Sequence, residues 1–169
     1  MAGPSAVHVH VHRVATGSFP LRVADILFTD RELVIPEYAY LTPLFGIARG
    51  QVTAAGDRAS ERYREAGFDG LATLDEHTHR VEYDRVERVR LYDAPGTRPK
   101  IAVDVAEGPP YAYRIHAPVE VENLARALES LGDRRGFAIE RPSGSGFSPR
   151  NSLWRFLSAR DRSRENQES

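Results

Sequence analysis

Ile26-Leu27-Phe28-Thr29-Asp30-Arg31-Glu32-Leu33-Val34-Ile35 is the stretch on which the fold turns. Two apolar triplets flank a polar segment, a pattern that predicts two short strands joined by a tight turn, a β-hairpin. Upstream, Val7-His8-Val9-His10-Val11-His12 alternates strictly, so the valines share one face of a strand and the histidines the other; Gly17 and Pro20 close it. Downstream, Pro36 ends the hairpin and the chain turns aromatic and small. Thr42-Pro43 offers an N-cap and first-turn proline for a short apolar helix through Leu44, Phe45 and Ala48. Asp57 is placed to cap a second helix, in which Ala59, Tyr63 and Ala66 recur at helical spacing before Gly67 ends it.

Strand signals return after His79. Val81 and Tyr83 alternate, Val86, Val89 and Leu91 are spaced through a charged segment that reads as edge-like, and Ala94-Pro95-Gly96 is a turn. Ile101, Val103 and Val105, then Tyr111, Tyr113 and Ile115, predict two consecutive strands. The clearest helix follows over Val119 to Leu131: Val121, Leu124, Ala125, Leu128 and Leu131 form one apolar stripe, Glu122 and Arg126 are spaced to pair, and Gly132 is the expected stop. Phe137-Ala138-Ile139 predicts a terminal strand. Connections this short exclude most βαβ crossovers, so the fold class is α+β: a bent antiparallel sheet or partly open barrel, plugged by its closing helix. The expected domain spans residues 1–141, with a helical insert at about 42–75, and residues 142–169 form a linker and basic tail with a short helix.

The 169 residues suit one domain plus an appended segment. A net charge of -1 argues against a dedicated nucleic-acid binder. Cysteine is absent, which excludes disulfides and thiolate chemistry and, with no basic-then-apolar leader in the first twelve residues, leads us to expect a cytoplasmic protein. The longest stretch without a charged residue or histidine, Tyr38 to Ala48, falls well short of the roughly 20 residues needed to span a bilayer.

The hairpin with its Thr29-Asp30-Arg31 turn resembles that of prokaryotic pleckstrin-homology-like domains. Glu82-Tyr83-Asp84-Arg85-Val86-Glu87-Arg88-Val89 is similar to that family's later turn-into-strand segment, and the strands and closing helix after Lys100 fall in the family's order. The resemblance covers residues 6 to about 140 and implies a binding or interaction module without catalysis; it does not identify the ligand, and our own expectation is a protein partner, self-association or a peripheral membrane surface. The chain departs from the eukaryotic members in having no tryptophan in the closing helix; Trp154 lies beyond the linker. Arg13 and Arg22 stand alone near the first strands, so lipid head-group binding is not implied.

Several residues invite a chemical role. Same-face residues on a strand sit roughly 6–7 Å apart, so two imidazoles of the row His8, His10 and His12 can meet on one metal ion, and His77 with His79 repeats the spacing. The competing reading is that the histidines line the solvated side of a strand whose valines make the core. Tyr38, Tyr40, Leu44, Phe45 and Ile47 form an apolar insert that either packs on the sheet or docks on a partner or membrane surface. In the tail, Ser148-Pro149 precedes Leu153, Trp154, Phe156 and Leu157, an apolar group expected to dock on the domain or a partner subunit. Gly144-Ser145-Gly146 matches neither a nucleophile elbow nor a dinucleotide-binding loop, and the carboxylate pairs Asp75-Glu76 and Glu120-Glu122 read as surface. No catalytic residue and no cofactor is assigned.

Overall fold

A computed structural model describes residues 6–17, 20–42, 48–72, 74 and 77–146. The elements run β1 (Val7–Thr16), β2 (Leu21–Thr29), β3 (Glu32–Leu41), α1 (Ala48–Ala72), β4 (His77–Glu82), β5 (Val86–Tyr92), β6 (Lys100–Val105), β7 (Tyr111–Ile115), α2 (Val121–Arg135) and β8 (Ala138–Glu140). They form an α+β fold with one eight-stranded sheet in the order β4-β3-β2-β1-β7-β6-β5-β8. Neighbouring strands are antiparallel except β5 and β8, whose parallel pairing makes the sheet mixed. The hairpin turn is held by Thr29, whose Oγ1 accepts from the Arg31 and Glu32 amides and donates to the Glu32 carbonyl at 2.7 Å. Both hairpin strands run further than the apolar triplets, and β3 continues through Pro36. No described helix is long and apolar enough to cross a membrane.

One face of the sheet carries the main core. Val9, Val11 and Val14 of β1 join Ile26, Phe28, Leu33 and Ile35 and the inward residues of β5 to β7, and Leu124, Ala125, Leu128 and Leu131 of α2 fill the same cluster. The α2 stripe therefore lies where its periodicity places it. The end of the helix does not: α2 runs to Arg135, and its C-cap is Gly136, with φ 85° in the left-handed region. Gly132 sits inside the helix, because a Cβ there would come within 2.5 Å of the Phe137 carbonyl oxygen. The Glu122–Arg126 pair is also replaced, Glu122 taking a bidentate contact from Arg141 at 2.6 and 2.7 Å.

Gly132→Ala sets two effects against each other. Alanine gains about 1 kcal/mol in helix propensity, while forcing a methyl into a close-packed contact costs about 1–3 kcal/mol. The obstructing atom is backbone and cannot swing aside, so the variant is expected to unfold at lower urea than the wild type. A raised midpoint would show that α2 and β8 do not approach as described.

The opposite face of β1 to β3 is covered by α1. Val52, Ala55, Ala59 and Leu71 pack on Ala15, Val23, Leu27, Val34 and Tyr38 as a second cluster. The helix expected to start at Asp57 starts earlier: α1 is already helical at Ala48 and passes through Asp57 without a cap, while its break at Ala66 and Gly67, where Gly67 has φ 59°, falls where the sequence places the helix end, and a short helical stretch follows to Ala72. The small residues that weaken its propensity let it approach the sheet, since a Cβ on Gly56 would overlap the Arg13 side chain. Tyr38 and Tyr40 belong to β3 and not to an insert; Tyr38 is buried and Tyr40 is 40% exposed. Leu44, Phe45, Ile47, Leu153, Trp154 and Phe156, the carboxylates Asp75 and Glu76, and the tail helix lie outside the described residues. The chain stays against the sheet as far as Gly146, which lies over the Tyr92 ring.

Candidate functional site

β1 alternates until His12, and there it bulges. Val11 pairs with Ile26 and Val14 with Ala24, so His12 and Arg13 together face Asp25. Arg13 takes φ 51°, a left-handed conformation that costs a residue with a Cβ about 1–2 kcal/mol. Asp25 supplies the compensation: its Oδ1 accepts the Arg13 amide at 2.9 Å. The bulge turns His12 and Arg13 towards α1, where the Arg13 guanidinium meets Asp57 at 2.5 Å.

Asp25 is wholly buried between the sheet and α1. Its Oδ2 lies 2.6 Å from His10 Nε2 and 3.0 Å from His12 Nδ1, and its Oδ1 also takes the Tyr38 hydroxyl at 2.8 Å. Burial alone would raise the carboxyl pKa, but the hydrogen bonds from His10 and His12, with their charge, outweigh it and hold Asp25 well below the usual carboxylate range. Burial and the adjacent Asp25 charge push the Tyr38 phenol far above its ordinary value, so it stays protonated and donates. His12 reaches on to α1, with Nε2 at 2.7 Å from Ser60 Oγ, and the Tyr63 ring lies 4.6 Å from that of His10.

These contacts settle the histidine row in part. His8 is exposed and outside the cluster; His10 and His12 are only 22% exposed by side chain, because α1 covers the face that the sequence assigned to solvent. The third donor is Asp25 from β2, a residue the sequence reading passed over although a lone acid inside Val23-Ala24-Asp25-Ile26-Leu27-Phe28 was a signal. Among the described residues, His10, His12 and Asp25 form the one group whose donor atoms all lie close enough, within 4.8 Å of one another, to hold a metal ion.

Ser60, His12 and Asp25 also follow the order of a nucleophile, base and orienting acid. The surroundings of Ser60 do not complete that chemistry. It lies in the middle of α1, where the neighbouring helix amides are committed to the hydrogen-bond ladder and are not free to stabilise an oxyanion at its Oγ. What the three groups do achieve is to tie α1 to the sheet.

A second buried carboxylate sits on the other face. Glu37 on β3 accepts the Tyr113 hydroxyl at 3.0 Å from β7, a strand that is not its neighbour in the sheet, and the Tyr40 hydroxyl at 3.1 Å. His79 Nε2 lies at 3.4 Å and Arg22 Nη1 at 3.3 Å. Burial works against ionisation here too, and the His79 hydrogen bond with the Arg22 charge outweighs it, so the Glu37 pKa is lowered. The contact joins β3 to β7 across the core face, and it explains the second His-x-His pair: His79 serves Glu37, while His77 is exposed with its ring 4.7 Å from that of His79. Of the surface carboxylates, Glu122 is exposed and paired to Arg141, and Glu120 gives its carbonyl to the Leu124 amide at 3.0 Å.

No family model matches the chain, and no curated protein matches it. Among solved structures it is similar to the hSac2 domain from the human phosphoinositide phosphatase Sac2, at 9% identity over 88% of this chain and 84% of that one, with a TM-score of 0.49.

Proposed function

We propose that the chain is a non-enzymatic binding module of pleckstrin-homology-like type whose ligand is a protein. The observation that carries this reading is the arrangement of strands β1 to β7 around the α2 stripe, the order of elements on which the family resemblance rests. The polar groups beneath α1 support it: Asp25, His12 and Ser60 are engaged on one another, and the helix amides around Ser60 are committed to the ladder and cannot supply the donors that acyl transfer requires. The outward face of α1 favours a protein over an anionic membrane. Its exposed residues Arg58, Glu61, Arg62, Arg64 and Glu65 mix both signs, whereas a membrane-surface helix presents a basic stripe beside an apolar face.

Cross-linking of the full chain in its own cells, followed by identification of the captured protein and reconstitution from purified components, tests the reading. A saturable complex is expected, weakened by the paired charge reversal Arg58→Glu and Arg62→Glu with no change in melting temperature. Ester or amide hydrolysis by the purified chain that disappears in Ser60→Ala would overturn it. So would binding to anionic vesicles in the absence of any protein complex.

A further inference from the structure

The environment of Asp25 contains more than helix docking requires. One imidazole, His12, already links the carboxylate to Ser60 of α1, yet a second, His10, reaches the same oxygen. The two carboxylate oxygens differ in their partners, with His12 shared between them. Oδ1 takes the Arg13 amide and the Tyr38 hydroxyl, Oδ2 faces His10 Nε2, and His12 Nδ1 lies 3.0 Å from both oxygens.

We propose that His10 Nε2, His12 Nδ1 and Asp25 Oδ2 form a binding site for a divalent first-row transition-metal ion of the zinc, cobalt or nickel class. Two imidazoles and one carboxylate are the donor set that such borderline ions select. Around an ion with bonds of about 2.1 Å, neighbouring donors stand roughly 3.0–3.4 Å apart. The Oδ2–His12 separation of 3.0 Å already meets that spacing, and the Oδ2–His10 separation of 2.6 Å reaches it by a small outward movement of His10. His10 is free to make that movement, since it is 22% exposed and its only described ring neighbours are the side chains of His12 and Tyr63.

The surroundings match those of a ligand set. Metal-bound histidine holds its orientation through its other nitrogen, and His12 Nε2 is engaged by Ser60 Oγ; the ligating carboxylate is itself hydrogen-bonded, here by Tyr38 and the Arg13 amide. The partial exposure of both imidazoles gives an entry path, and three protein ligands leave a position for water or for a donor from a bound partner. The site uses two members of the H-x-H-x-H row and replaces exposed His8 with a buried acid from the next strand. It stands or falls independently of the binding-module reading, since neither the identity of a partner nor the absence of catalysis enters the argument.

The test is calorimetric titration of Zn²⁺ and Co²⁺ into untagged, chelator-stripped full-length protein, with the visible spectrum of the Co²⁺ form as a report on nitrogen ligation. Equimolar binding is expected, with a rise in melting temperature in excess metal. His10→Ala should weaken binding by about 10–100-fold, the usual effect of damaging a metal-ligand set, while His8→Ala and His77→Ala leave it unchanged. His10→Gln serves as a second variant if the alanine form does not fold, and it should also lose the Co²⁺ bands. Absence of saturable binding by the wild-type chain, binding that survives in folded His10→Ala or His10→Gln, or binding lost in His8→Ala or His77→Ala would each overturn the proposal.

Discussion

Asp25→Ala is expected to lower the unfolding free energy by about 3–5 kcal/mol, the cost of removing one partner from a buried charged network. That is a large share of the roughly 5–15 kcal/mol that holds a domain folded. The loss is this large because the carboxylate serves four groups at once: the His10 and His12 rings, the Tyr38 hydroxyl and the Arg13 amide. Alanine leaves the buried phenol with only the long 3.3 Å contact to the Ala24 carbonyl and removes the hydrogen bond that offsets the left-handed conformation of Arg13. It also frees His12, so α1 loses one polar tie to the sheet and is left with the exposed Arg13–Asp57 pair and its contacts through Val52, Ala55, Ala59 and Leu71. Asp25→Asn preserves shape and one acceptor oxygen, and should cost less, about 1–3 kcal/mol. Urea denaturation of the two variants beside the wild type measures both values. A loss under about 1 kcal/mol for the alanine form would show that the carboxylate is not the buried hub described.

The same residue sets part of the pH dependence. Asp25 has a folded pKa below its unfolded value, so its contribution is fully present above about pH 4, the ordinary aspartate range, and is lost as pH falls towards the lowered folded value. Glu37, also lowered, acts in the same direction. Wild-type stability should therefore fall steeply with acid below about pH 4, and Asp25→Asn should show a shallower acid limb. Equal slopes would mean that Asp25 titrates alike in the folded and unfolded chains.

The parts of the fold that were legible in the sequence are those whose burial is one-sided. The valines of β1, the hairpin triplets and the α2 stripe each repeat with the period of their own element, and that period reports the core face directly. The stretch of α1 ahead of Asp57 was not legible because the residues that seat the helix, Ala55, Gly56 and Ala59, are chosen for closeness and carry little apolar signal. Since α1 was not anticipated as a cover, the histidine face of β1 was assigned to solvent. The bulge at His12 and Arg13 had no local sign either, since an arginine at positive φ is disfavoured on its own terms and exists here because Asp25 accepts its amide. Asp25 and Glu37 did leave a trace, each being an acid flanked on both sides by apolar or aromatic residues within a strand, and that trace points to a buried partner without naming it. Ser60 left none: a helical serine 48 residues from its histidine is visible only once the chain has folded.

The core face offers the other large expected effect. Leu128→Ala should cost about 2–5 kcal/mol, the range for emptying a buried leucine site. Leu128 is wholly buried at the centre of the α2 stripe, between Leu124 and Leu131, in the cluster shared with the inward residues of β1, β2, β5, β6 and β7. The upper part of that range applies where neighbours cannot collapse into the void. Here they are held on two sides, because the inward residues are fixed in one continuous hydrogen-bonded sheet and α2 is anchored beyond Leu128 by Gly136 and the β8–β5 pairing. Leu128→Met, which nearly conserves volume, should cost less than about 1.5 kcal/mol and serves to separate cavity formation from a general intolerance of change at the site. Thermal unfolding of the two variants decides the matter: a sharp fall for alanine with a small one for methionine places α2 on the core face of the sheet, and a neutral Leu128→Ala would remove α2 from the core and with it the arrangement on which the binding-module reading rests.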